Sequence, residues 1–406
     1  MASGVAYRCP DLRGYALTIR RFHAREPTPT ANLYKAPPSK RSRGRPKPIG
    51  LLKRLPLELI HAVLLDLDYT SLNKLRLVNR TARRIVESLP AYSLLRTHAA
   101  DTLRVMDASR CSSYFPIGHL FAEFCHPWCR TCPGREFAPL LYLPTMTRSC
   151  FKCTRVRDEY QPRLVTDICA TYALSWRDMN NKVHPLPVIR TIPTYPPWVP
   201  RRIADIRQAL ELAITIHGSL AAVEHAARER EECNRTAYQA ALKEWVIWNG
   251  DGEEEDNTKR RRRRKGKKTR SPSPTPTPRR PRVPHKRFES LRTGQGADNW
   301  RFRATVAFPY FDRQMQTVET GVYCRACTYH WDEGYADDWR RAATIFHPHP
   351  PNREARFRAF LEKDIPAHFA VCKNMNRGYD FAESRLDPLE RQADGEDFFV
   401  FPEDWE

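Results

Sequence analysis

The stretch from Leu51 to Leu95, LLKRLPLELIHAVLLDLDYTSLNKLRLVNRTARRIVESLPAYSLL, constrains the chain more than any other. Its apolar residues recur at helical spacing in three short runs, so it reads as three amphipathic helices. Leu55-Pro56 opens the first, because proline suits a first helical turn whose N–H groups have no partner in the helix. Leu59, Ile60, Val63, Leu64 and Leu67 follow. Asp68-Tyr69-Thr70 interrupts the run, and Thr70 is placed to cap a second helix carrying Leu72, Leu75 and Val78. Ala82, Ile85, Val86 and Leu89 mark a third helix, which Pro90 is expected to stop. Domains below about 60 residues are marginal on their own. Part of this apolar surface is therefore expected to meet another part of the chain or another protein.

The ordered positions Leu55, Pro56, Glu58, Leu59, Ile60, Val63, Leu67, Leu72, Val78 and Arg80 resemble an F-box. That pattern often carries a tryptophan just after the arginine, where this chain has Ala82 and Arg83. The resemblance implies docking on the Skp adaptor of a cullin–RING ubiquitin ligase. The docking residues would be Leu55, Pro56, Leu59, Ile60, Val63, Leu72 and Val78. The downstream region would then select a protein substrate, whose identity no motif discloses.

The chain has 12 cysteines, six of them in three C-x2-C pairs. Without a secretory segment such pairs point to metal rather than to disulfides. Arg8, Asp11 and Arg13 interrupt the N-terminal stretch, so no secretory segment is expected there. Cys129-x2-Cys132 and Cys150-x2-Cys153 are separated by 17 residues, a spacing that suits four thiolates around a tetrahedral zinc. Cys125 and His126 stand nearby as alternative ligands. Cys324-x2-Cys327 precedes His368-x3-Cys372, whose two side chains fall one helical turn apart and face the same way. These four would make a second structural site, with His330, His347 and His349 competing for the histidine position. One to two zinc ions are expected. The apolar stretch Phe137–Leu143 between the first two pairs reads as a strand.

The order box, C-x2-C, Leu141-Tyr142-Leu143-Pro144-Thr145, C-x2-C is similar to that of a large group of fungal F-box proteins. Ala209–Ala213 leading to His217-Gly218-Ser219, then Phe308-Pro309-Tyr310, then Glu319-x-Gly321-Val322-x-Cys324, continue the likeness in pieces.

The net charge of +21 sits in two segments. Residues 1–48 hold 11 Lys/Arg against 2 Asp/Glu, residues 259–282 hold 13 Lys/Arg and no acid, and the remainder is close to neutral. That distribution argues against a globular nucleic-acid-binding face. In the first segment, Arg43-Gly44-Arg45-Pro46 resembles the core of an AT-hook, in which Arg43 and Arg45 would enter an A·T-rich minor groove. In the second, KRRRRRKGKKTR suits the acidic groove of a nuclear-import receptor and also binds nucleic acid without sequence preference. Four Ser/Thr-Pro sites, at residues 271–278, follow it. The expected location is the nucleus, and the cytoplasm as well. No apolar run approaches the roughly 18 residues of a membrane span.

The expected fold is α+β and mainly helical. It begins with a disordered basic arm (1–48), an F-box (49–96) and a zinc-binding region (97–200). A helical segment (201–248) follows, with its apolar stripe starting at Ile203, then a disordered linker (249–298). A second cysteine/histidine domain (299–386) and an acidic tail (387–406) complete it. Neither H-E-x-x-H nor G-x-S-x-G is present, so a binding protein is expected rather than an enzyme. The leading function is a ligase adaptor. The alternative is a nuclear DNA- or RNA-associated protein using the basic arm and linker.

Overall fold

The computed structural model describes residues 6–7, 54–181, 185–191, 201–249, 280–284, 301, 303–328 and 353–372. Arg43, Arg45, the 259–270 run, the Ser/Thr-Pro sites, His330, His347, His349 and the acidic tail lie outside the described residues. The chain forms two compact units. One comprises 1–165, 182–208 and 291–406; the other comprises 166–181 and 209–290.

The first unit begins with a short strand, β1 (Ala6–Tyr7), in the arm expected to be disordered. Six helices follow: α1 (Leu57–Leu65), α2 (Tyr69–Val78), α3 (Arg80–Ser88), α4 (Pro90–His98), α5 (Ala100–Ala108) and α6 (Ile117–Phe124). Asp68, not Thr70, caps α2: its Oδ1 accepts from Ser71 N at 2.9 Å, while Thr70 Oγ1 bonds Ser112 Oγ at 2.8 Å. Asn79 is extended and caps α3, its Oδ1 accepting from Ala82 N at 2.8 Å. Ala82, standing where the motif often has an aromatic residue, is fully buried. Pro90 does not stop α3 from within; it opens α4, whose first turn needs no N–H from it.

The first three helices do not close a core alone. Tyr92 of α4 donates its hydroxyl to Asn73 Oδ1 at 2.7 Å and stacks on Tyr69 with ring centroids 5.8 Å apart. The buried Arg76 pairs with Glu87 at 2.6 Å, and Arg96 reaches the same carboxylate at 3.6 Å. Ile117 N donates to Leu67 O at 2.8 Å, seating α6 against the end of α1. Phe124 of α6 in turn stacks on Phe311, with centroids 5.5 Å apart. One core therefore runs from Ile60 through to Phe311.

Downstream, β2 (Leu140–Tyr142) pairs antiparallel with β3 (Thr147–Ser149), as the Phe137–Leu143 stretch leads one to expect. Helix α7 (Phe151–Val156) follows, and then β4 (Pro162–Leu164), the first strand of a second small sheet. At the end of the first unit's first segment begins α8 (Val165–Thr171), followed in the second unit by α9 (Trp176–Met179). The sheet is completed in the first unit by β5 (Ile189–Arg190) and β6 (Arg202–Asp205), in the order β4-β6-β5. Ile203 thus lies in a strand and not in the expected helical stripe. Helix α10 (Ile206–His217) starts after it and ends at Gly218, whose φ of +91° suits only glycine without strain. In the second unit, Ser219 Oγ accepts from Ala222 N at 3.2 Å and opens α11 (Leu220–Asn249).

The described residues of the 299–386 segment, expected as a separate domain, fall in the first unit. Strand β7 (Thr305–Ala307) pairs antiparallel with β2, Leu141 opposite Val306, giving the order β3-β2-β7. A hairpin of β8 (Tyr310–Asp312) and β9 (Thr317–Glu319) follows, and then β10 (Tyr323–Cys324), which pairs with β1. Two short helices, α12 (Arg353–Arg356) and α13 (Ile365–Val371), complete the described chain.

Arg148 ties these pieces together. Its side chain is fully buried, and a buried ion costs several kcal/mol unless its donors are satisfied. Here Nε donates to Glu123 O at 2.6 Å, and Nη1 donates to Ala138 O at 2.6 Å and Phe308 O at 3.0 Å. Nη2 donates to Pro309 O. Burial lowers its pKa to about 9, and the nearby Glu123 carboxylate opposes that shift. One side chain thus binds carbonyls from α6, from the approach to β2 and from the segment after β7.

Candidate docking face and cysteine centres

Helix α1 is apolar on two faces. Ile60 and Leu64 point inward and are buried, whereas Leu55, Leu59 and Val63, spaced by four residues, are 40%, 53% and 50% exposed. Pro56 is the N-cap of α1 and is exposed beside them. At the end of α2, Leu77 and Val78 are exposed as well, Val78 by 68%. A helix apolar all round is normally buried on all sides, so the outward stripe marks a surface that wants a partner. Ile60 and Leu72, expected on the docking face, are core residues, because each points from its helix into the α1–α6 core. Leu57 and Leu77 belong to the exposed set and were not singled out from sequence. Their signal is an apolar residue lying off the inward-facing stripe.

The clearer cysteine centre joins residues far apart in sequence. Cys324 ends β10, Cys327 follows one helical turn later, His368 lies on α13, and Cys372 is its C-cap. Val322 and Phe360 exchange both backbone hydrogen bonds at 2.9 Å, and Glu319 Oε2 accepts from Glu362 N at 2.9 Å, which lays α13 beside β10. Gly321 makes that approach possible. Its φ is +90°, and a Cβ there would stand 2.8 Å from Phe137 Cε1.

The four ligand atoms all lie within 4.8 Å of one another. Cys324 Sγ is 3.9 Å from Cys372 Sγ, Cys327 Sγ is 3.6 Å from Cys372 Sγ, and Cys327 Sγ is 3.6 Å from His368 Nε2. A tetrahedral zinc with Zn–S of ~2.3 Å and Zn–N of ~2.0 Å has S···S edges of ~3.8 Å and S···N edges of ~3.6 Å. The separations match those edges and are far from the ~2.05 Å of a disulfide. Phe360 stacks on the His368 ring, with centroids 4.5 Å apart, and fixes its orientation. Burial alone would lower the His368 pKa, but the Cys324 and Cys372 sulfurs outweigh it and hold the imidazole up to about 9. A metal ion would displace those protons.

The other centre gathers Cys129, Cys150 and Cys153, all buried, with sulfurs within 4.8 Å of one another. The Cys129 turn is closed by Cys129 N donating to Glu136 O and Ala138 N to Pro127 O, both at 2.9 Å. Cys150 caps α7, its sulfur accepting from Cys153 N at 3.4 Å. The Cys150 and Cys153 thiols, hydrogen-bonded to Cys129, pull its pKa down to about 2, while their own are pushed up. Cys132 does not enter this trio; it falls in an overlapping group with Glu136 and Cys150. Cys125 and His126, the sequence alternatives, join neither group. Among the described residues every cysteine is a free thiol, and both clusters can hold a metal ion.

The F-box domain family matches residues 52–94, so an F-box is present there. No curated protein matches the sequence. Among the described residues no helix is long and apolar enough to cross a membrane.

Proposed function

We propose that the chain is a substrate-recognition adaptor of a cullin–RING ubiquitin ligase, docking on the Skp adaptor through its F-box. The observation that carries this is the exposed stripe of Leu55, just before the first helix, and Leu59 and Val63 on it, in a segment that matches the F-box family. Leu57, Leu77 and Val78 extend the apolar surface. The chain's own contribution is binding and positioning, and the ubiquitin transfer belongs to other subunits. The region downstream of the box binds the protein substrate.

Both cysteine centres hold zinc in this reading. Four thiolate or imidazole ligands leave no position for water, which suits a structural ion and not a catalytic one. Cys132 completes the first centre by moving from Glu136 towards the Cys129, Cys150 and Cys153 trio. Entry to the nucleus through the 259–270 run, read by an import receptor, is part of the proposal and rests on composition. Pull-down of purified Skp adaptor by the full chain tests the main point. Binding that disappears when Leu55 and Pro56 are both changed supports it, and absence of binding by the unchanged chain refutes it.

A further inference from the structure

The turn that carries Cys129 holds a polar side chain against the first metal centre. Thr131, two residues on, places Oγ1 3.6 Å from Cys129 Sγ, within hydrogen-bond reach of an atom as large as sulfur. On its other side Thr131 Oγ1 lies 3.2 Å from the hydroxyl of Tyr160. Tyr160 comes from the opposite half of the site, four residues beyond the end of α7, whose cap is Cys150. Its ring is 1% exposed and packs edge-on against Tyr142, with centroids 5.1 Å apart. Tyr142 is itself pinned, its hydroxyl donating to Asp205 Oδ2 at 2.7 Å. The Tyr160 hydroxyl is thus held at a fixed point beside the threonine.

The direction of this relay follows from what each atom can give. A metal-bound thiolate has no proton and only accepts. The Tyr160 hydroxyl has one proton and two acceptors in reach, Thr131 Oγ1 at 3.2 Å and Arg148 O at 3.4 Å. Arg148 O already accepts from Arg130 N at 3.1 Å, so the nearer threonine is the better acceptor. That leaves the Thr131 proton for Cys129 Sγ.

We propose that Thr131 and Tyr160 are positioning residues of the first metal centre, with Tyr160 donating to Thr131 and Thr131 donating to the Cys129 thiolate. Cys129 is where such help counts, because it is the one sulfur of its turn within 4.8 Å of both Cys150 and Cys153. The donated bond takes up part of the thiolate's charge in a buried site and fixes the direction in which its sulfur faces the ion. Partners of this kind are worth about 10–100-fold in metal affinity. The proposal deepens the zinc reading of that centre and rests on it.

The test withdraws zinc from the full chain with a graded chelator, the two release steps being assigned to their centres with Cys150→Ser and Cys372→Ser. Thr131→Val, which keeps the branched shape and loses the hydroxyl, should weaken the first centre by about 10-fold or more and leave the second unchanged. Tyr160→Phe, which removes the donor behind the threonine, should weaken the first centre in the same direction. Thr131→Ser, which keeps the hydroxyl, should hold zinc as the unchanged chain does. A loss that Thr131→Ser shares in full, or one that falls on both centres alike, overturns the proposal, since either marks a role in folding rather than in holding the sulfur. Zinc held at the first centre with no effect of Thr131→Val or of Tyr160→Phe overturns this proposal alone. An unchanged chain that takes up no zinc there overturns the zinc reading of that centre as well.

Discussion

Leu59 and Ile60 are neighbours in sequence and opposites in exposure, 53% against 6%. The inward residue anchors α1 to the core that reaches Phe311, and the outward one continues the stripe of Leu55 and Val63. Each side chain of this size left in water forgoes about 1.5–3 kcal/mol of burial, so a row of them is costly unless a partner covers it.

The box depends on the rest of the first unit. Tyr69, Leu72 and Val86 are buried together with residues of α4 to α6 and β7, so a fragment of residues 52–96 lacks the α5, α6 and β7 part of its own core. That fragment is expected to show no cooperative thermal transition by circular dichroism, whereas the full chain does. A cooperative melt of the fragment alone would contradict this.

Arg148 predicts a large single-site effect. Replacing it with methionine keeps much of the volume but leaves the carbonyls of Ala138, Phe308 and Pro309 without their donor, while Glu123 O keeps His126 N at 3.2 Å. Each buried unsatisfied group costs about 1–3 kcal/mol, so a loss above roughly 3 kcal/mol is expected in chemical denaturation. A change under about 1 kcal/mol would show that water replaces the guanidinium at little cost.

Gly321→Ala should destabilise by about 2 kcal/mol or more, because it adds backbone strain at positive φ to a clash with Phe137. The denaturation midpoint of the purified variant measures this. The same change at Gly134, where an added Cβ meets nothing within 4 Å, should be mild.

Metal content follows from the two centres. The full chain should carry about two zinc ions, and Cys372→Ser or Cys150→Ser about one each. Acidification or a strong chelator should release the metal, since the ligands must give up protons to bind it. Retention of full zinc by Cys372→Ser would rule out the second centre.

The legibility of these features in the sequence depended on how local they were. The α1–α3 pattern, the β2 strand and the His368–Cys372 pair rest on neighbouring residues and could be read directly. Inward and outward faces of α1 could not be separated, because both are apolar at helical spacing. The separate 299–386 domain failed for a different reason. Leu141 pairs with Val306 and Arg148 binds the carbonyl of Pro309, and such long-range partners leave no periodic trace. Cys132 looked equivalent to Cys129 by spacing, yet the sulfur of Cys129 lies within 4.8 Å of both Cys150 and Cys153, whereas Cys132 groups with Glu136 and Cys150 and not with Cys153.

Affinity of the full chain for purified Skp adaptor, measured for the unchanged protein and for a Leu59→Asp/Val63→Asp double variant, bears most directly on the docking face. Both residues are exposed, so the variant should keep its melting temperature. Interface anchors of this kind contribute about 2 kcal/mol or more each, so binding should weaken by at least ~100-fold. No binding by the unchanged chain, or equal binding by a folded double variant, would contradict it.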